Sequence, residues 1–132
     1  MDAIFQPVQI VHNAARIVGE SRGFAPSWLN DAAKGFVSQH HVTSSTGLPQ
    51  FPHLRLVMPV PEYLLAMKCM ASRIGSVSGE ADDVHDIVFL IHHLRLTKAN
   101  EVMDIVAAYY PAHRIPVKAQ YLIEGLFAEC GK

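Results

Sequence analysis

Cysteine is scarce in this chain: its 132 residues include two, Cys69 and Cys130. They form no metal-ligand spacing and no disulfide framework. Cys69 lies in an apolar run and reads as an ordinary buried thiol. Charge is also in short supply. Asp, Glu, Lys and Arg make up 17% of the residues, below the roughly one-quarter usual in globular domains, which points to extra buried surface such as an oligomer interface. With a formal net charge of −1, nothing points to bulk attraction to nucleic acid or to an anionic membrane; a small local basic patch remains open. No apolar run reaches the ~20 residues needed to cross a bilayer. The longest candidate, Val57 to Ala71, is interrupted by Pro59, Pro61, Glu62 and Lys68. The opening Met1-Asp2-Ala3-Ile4-Phe5-Gln6-Pro7 has neither a basic segment nor an apolar core, so no signal peptide is expected and the chain reads as cytoplasmic. Phosphate-binding glycine loops, GxSxG and HExxH are missing as well.

Half of the residues are hydrophobic, enough for a sizeable core, and the length fits one domain. Eight histidines make the charge sensitive to mildly acidic pH. Asp2 to Phe5 reads as a short strand ended by Pro7. Val8 to Arg22 reads as a helix with Ile10, Ala14, Ile17 and Val18 as its apolar stripe and Gly23 as its cap. A second helix is expected from Pro26 through Phe36, packing Trp28, Leu29, Ala32 and Phe36 inward. Residues 38–53 lack periodicity and carry Thr43-Ser44-Ser45-Thr46-Gly47 and two prolines, which marks a long loop. Leu54 to Val60 alternates like a strand with one buried face. Pro61 then opens a helix to about Ile74 that is apolar nearly all round and therefore central. After a turn at Gly75 to Gly79, helices are expected at Glu80 to Leu96, Ala99 to Tyr109 and Pro116 to Ala128. The expected class is α+β, dominated by helix: a small remnant sheet with helices packed on it and a C-terminal helical segment.

Three features carry chemistry. Lys68 sits among apolar neighbours and must either snorkel to water or meet an anion, a phosphate for example. Asp82, Asp83 and Asp86 share a face at helical spacing. A cation opposite, Lys68, Arg73 or a divalent metal, would relieve their repulsion, although acids in a first helical turn are also favoured by the helix dipole alone. His93 falls on the stripe of Asp82, Asp86 and Phe89, with His85 and His92 on the same helix; a His/Asp metal site has no HExxH motif or cysteine partner behind it. His40 and His41, in the long loop, read as solvated.

Taken together, Leu54-Arg55-Leu56-Val57-Met58-Pro59-Val60-Pro61-Glu62-Tyr63-Leu64-Leu65-Ala66-Met67-Lys68, continuing to Arg73, and then Asp83-Val84-His85-Asp86-Ile87 resemble the later half of the abortive-infection type of nucleotidyltransferase, in the polymerase-beta-like superfamily. Ser27-Trp28-Leu29-Asn30-Asp31 fits as well. The resemblance covers roughly residues 2 to 96, so the expected organisation is a single nucleotidyltransferase-like domain over 1–132: a family-like part, 1–96, and C-terminal helices, 97–132. It implies that Lys68, Asp83 and Asp86 lie near a nucleotide and would be the catalytic residues of an active protein, with Lys68 and Arg73 binding the cofactor. In the family, a Gly-Ser turn and an Asp-x-Asp strand hold Mg²⁺ against a nucleoside triphosphate. Here Asp2 is similar to the second of those acids and is the one metal ligand implied. The turn and the first acid are not in the sequence.

The expectation is therefore a truncated nucleotidyltransferase-like protein without catalysis of its own. It would serve as a binding or interaction module, as a homodimer or with a protein partner. The retained lysine and aspartate would form a buried pair locking two helices, whose breakage costs about 3–5 kcal/mol. The alternative is Mg²⁺-dependent nucleotidyl transfer to a protein, RNA or small molecule. An enzyme of another class built on the His and Asp cluster is the third reading.

Overall fold

The computed structural model describes residues 1, 3–72 and 80–130, with backbone alone for 80–82 and 130. The chain is mostly helical with one small antiparallel sheet, the α+β class expected. It divides into two compact units, Met1–Val37 and Ser38–Lys132.

In the first unit, α1 spans Val8–Arg22 and ends at Gly23, whose φ of 69° is the left-handed cap that glycine adopts without a steric penalty. The expected stripe is not what α1 buries. Ile10, Ala14, Ile17 and Val18 are exposed, while Ala15 and Gly19 are covered. The cover is Trp28. Its indole N–H donates to the Ala15 carbonyl at 2.8 Å, and its ring lies 3.0 Å from where a Cβ on Gly19 would stand. A flat ring that must bond a helix carbonyl needs small residues beneath it, and that requirement outranks the larger apolar side chains.

The helix expected from Pro26 to Phe36 is reduced to a 3₁₀ segment, Ala32–Phe36. Asn30 explains the loss. Its N–H donates to the Met1 carbonyl at 3.0 Å and its carbonyl accepts from the Ala3 N–H at 2.9 Å. Its side-chain oxygen takes the Ala32 N–H at 3.1 Å, a local turn that competes with helix. Ala3 to Phe5 form no strand beyond this single bridge. Trp28, Leu29 and Phe36 are half-buried; Ala32 is exposed.

The second unit is built around α2, Pro61–Ala71. Pro61 occupies its first turn, where a missing N–H costs nothing. Tyr63, Leu65, Ala66, Cys69 and Met70 are buried. Against α2 pack α3 (Glu80–His93), α4 (Ala99–Tyr109) and α5 (Val117–Cys130), which contribute Ile87, Leu90 and Ile91, Val102 and Val106, and Ala119 and Ile123 to the core. The nearly all-apolar surface of α2 thus has the central place its composition implied. α3 ends earlier than Leu96. Arg95 takes a φ of 56°, and the Leu96 N–H turns back to the Ile91 carbonyl at 3.0 Å, which closes the helix. At the start of α4, one oxygen of Glu101 accepts from the N–H groups of Thr97 (2.7 Å) and Lys98 (2.9 Å). Those two bonds hold its carboxyl below the usual range.

The expected strand Leu54 to Val60 shrinks to β2, Met58–Pro59, which pairs antiparallel with β1, Thr43–Ser44, inside the segment expected as loop. Leu54 and Met58 are exposed rather than lining a buried face. Two residues per strand cannot enclose a face, and Pro59 and Pro61 have no N–H with which to extend the ladder. Residues 75–79, expected as a turn, lie outside the described residues. Among the described residues no helix is long and apolar enough to cross a membrane.

Two substitutions test this packing. Leu65→Ala is expected to lower the unfolding free energy by about 2–5 kcal/mol in urea titration; a loss below about 1 kcal/mol would contradict the central place of α2. Gly19→Ala is expected to push the indole off Ala15. Trp28 is the sole tryptophan, so its emission should shift to the red while α1 keeps its helicity.

Candidate functional site

Lys68, expected at a site, lies on the face of α2 that meets α3. Its ammonium stands 2.7 Å from an Asp86 oxygen and 3.4 Å from an Asp83 oxygen. Asp83 and Asp86 are three apart on α3, so one helical face carries both carboxylates to the same cation. Of the cations expected opposite these acids, Lys68 is in place. Arg73 and Asp2, the other expected cofactor and metal residues, lie outside the described residues, as does the side chain of Asp82.

The site is less buried than expected. The side chains of Lys68, Asp83 and Asp86 are 30%, 37% and 56% exposed. A pair this open to water contributes little, about 0.2–1 kcal/mol per contact, instead of the 3–5 kcal/mol of an enclosed pair. The physical reason is position. Lys68 springs from the apolar helix, but its four-carbon stem carries the ammonium to the rim. Burial acts to lower its pKa. The hydrogen bond and charge of Asp86, then the charge of Asp83, outweigh that and hold it above the usual lysine value.

Asp86 shares its face of α3 with Phe89 and His93. Both rings are exposed, and they stack on one another at 6.0 Å between centroids and 15° between planes. His85 and His92 point to solvent. Among the described residues no three His, Cys, Asp or Glu side chains stand close enough to hold a metal ion. The two carboxylates that would begin a Mg²⁺ shell already face a cation, so they do not fit a metal in this arrangement. Cys69 is fully buried, and its thiol is pushed up to about 12 by burial, which removes it from nucleophilic chemistry at neutral pH.

Sequence reasoning missed a polar hub at Ser38. Its N–H donates to the Tyr63 hydroxyl at 3.0 Å, its hydroxyl donates to the Tyr109 carbonyl, and it accepts the His40 N–H at 3.0 Å. His41, expected to be merely solvated, sets Nδ1 3.1 Å from the Ser38 carbonyl. Tyr63 stacks on Tyr109 at 4.9 Å. One small residue, through its backbone N–H and its hydroxyl, therefore ties this segment to α2 and α4, and no local pattern marks a serine for that role. An open cavity of about 500 Å³ lies within residues 45–56, lined by Leu48, Phe51, His53 and Leu54 among others. Its lining includes none of the candidate residues.

Comparison with protein-family models, with curated proteins and with solved structures returns no match. The residues themselves therefore carry the functional argument.

Lys68→Met is expected to cost about 1 kcal/mol in urea titration at pH 7. The coupling between Lys68→Met and Asp86→Asn in a double-mutant cycle should be of similar size. Because the folded pKa of Lys68 is raised, its contribution is complete below the ordinary value of 10.5 and is lost only as pH climbs through the folded value. The coupling should thus stay constant from neutral to mildly alkaline pH. A coupling that disappears near pH 8 would contradict this assignment.

Proposed function

We propose that this chain is a nucleotidyltransferase-like protein without transferase activity of its own, working as a binding module that pairs with a second copy. One observation carries the reading: the cation that would meet a nucleotide phosphate is already met by two carboxylates. Lys68 has Asp86 at 2.7 Å and Asp83 at 3.4 Å, an arrangement that neutralises an ammonium and leaves a net negative rim. A triphosphate brought there would have to displace Asp86 and face two carboxylates, both costly for an anion. The cluster is accounted for as a strut between α2 and α3.

The binding role is supported by the surface. Ile10 and Ile17, two turns apart on one face of α1, are both more than half exposed, in a chain with few charges to cover them. Large apolar side chains left outside are the usual mark of a contact surface when they cluster.

The rival reading, Mg²⁺-dependent nucleotidyl transfer, requires Asp83 and Asp86 to release Lys68 and turn to a metal. Calorimetric titration separates the two. With each nucleoside triphosphate, in the presence and absence of Mg²⁺, the purified protein is expected to give no binding heat. Metal-dependent binding at micromolar strength, lost in Asp86→Asn, would overturn the proposal in favour of the enzyme.

A further inference from the structure

The two faces of α1 differ in kind. The covered face is made of Ala15 and Gly19, small residues under the Trp28 ring. On the opposite side, at 100° per residue, Ile10, Ala14, Ile17 and Ser21 fall within about 60° of one another. All four are exposed, Ile10 to 67% and Ile17 to 59%. Val18, also exposed, flanks them. A helix whose larger apolar residues point away from its own unit has an apolar face that its own unit does not cover.

We infer that this face is where two copies of the chain pair, α1 against α1, antiparallel about a twofold axis. The inference rests on the self-association in the proposed function and names its surface. Three features favour a second copy over another occupant. The spacing 10, 14, 17, 21 steps by four, three and four, the seam of a paired helix. Along it, large and small residues alternate: Ile, Ala, Ile, Ser. An antiparallel copy sets Ile17 on the partner's Ala14 and Ile10 on the partner's Ser21, so every layer joins a large residue to a small one. The face is thus complementary to itself, which is what a twofold contact demands. Charge agrees. The Arg16–Glu20 ion pair, closed within the helix at 3.0 Å, lies to one side of the seam. The antiparallel arrangement brings Glu20 toward the partner's Asn13 and Val18 toward the partner's Val11, and no like charges meet.

The size of the contact sets its strength. Fifteen residues of helix span about 22 Å, and four layers bury less than the ~800 Å² per partner of a stable complex. The pairing is therefore weak and concentration-dependent, with a Kd in roughly the micromolar range.

Sedimentation velocity from low micromolar to near-millimolar concentration tests it. The full chain is expected to pass from monomer to dimer. Ile17→Asp should weaken pairing by more than about tenfold, with helicity and Trp28 emission unchanged. Ala14→Leu should also weaken it, since the larger side chain meets the partner's Ile17, although general stickiness would make this more apolar variant associate more. Phe89→Ser, exposed elsewhere, should pair like the parent. A chain that stays monomeric throughout overturns both the α1 contact and the self-association in the proposed function. A dimer insensitive to Ile17→Asp, or strengthened by Ala14→Leu, overturns the α1 contact and leaves that reading standing.

Discussion

The second unit depends on enclosing α2. Eleven residues from Pro61 to Ala71 carry apolar side chains almost all round, so exposure on any side would leave surface in water at about 25 cal/mol per Å². Three helices close over it, and each takes a share: α4 through Val102 and Val106, α3 through Ile87 and Leu90, α5 through Ala119 and Ile123. Charge within α2 is then confined to its edges. Lys68 reaches out where α3 passes, and the carboxylates meet it there. The ion cluster is a consequence of the enclosure. It adds orientation at the seam and little energy.

That ranking matters for function. A lysine opposite two aspartates invites a catalytic interpretation, because the same residue types bind phosphate and metal elsewhere. Here the distances and the exposure support the structural reading proposed above. The carboxylates satisfy the ammonium directly, and water screens the group. Specificity in this chain is better sought on its apolar surface than in its charges. The contrast between the two faces of α1 makes that concrete: Trp28 covers the small face, and Ile10 and Ile17 are exposed on the other.

The parts of the fold that a sequence reader can see are those fixed by local pattern. α4 was expected from Ala99 to Tyr109 and occupies those residues. α2, α3 and α5 were each placed within a few residues, because their periodicity is long and their ends carry Pro61, an acidic first turn, or Pro116. The two acids of the Lys68–Asp83–Asp86 cluster are legible for the same reason, since helical spacing puts both on one face; which cation meets them depends on how α2 packs on α3. What escaped depends on contacts far apart in the chain. Asn30 looked compatible with helix until its backbone paired with Met1 and Ala3. The α1 stripe is visible in the spacing, yet burial on this helix is decided by an indole that needs Ala15 and Gly19. Leu54 to Val60 alternated like a strand but had a partner of only two residues. Ser38 gave no sign of its role, because a hydroxyl at a helix junction has no periodicity to betray it.

The central claim is that the Lys68 ammonium is committed to Asp83 and Asp86. Its side-chain NMR signal, followed against pH in the parent and in Asp86→Asn, tests this most directly. The midpoint is expected above that of an ordinary lysine, falling toward it when Asp86 is neutralised, with no response to added Mg²⁺ and nucleoside triphosphate. An ordinary midpoint indifferent to Asp86→Asn, or a signal that moves when the nucleotide is added, would contradict it.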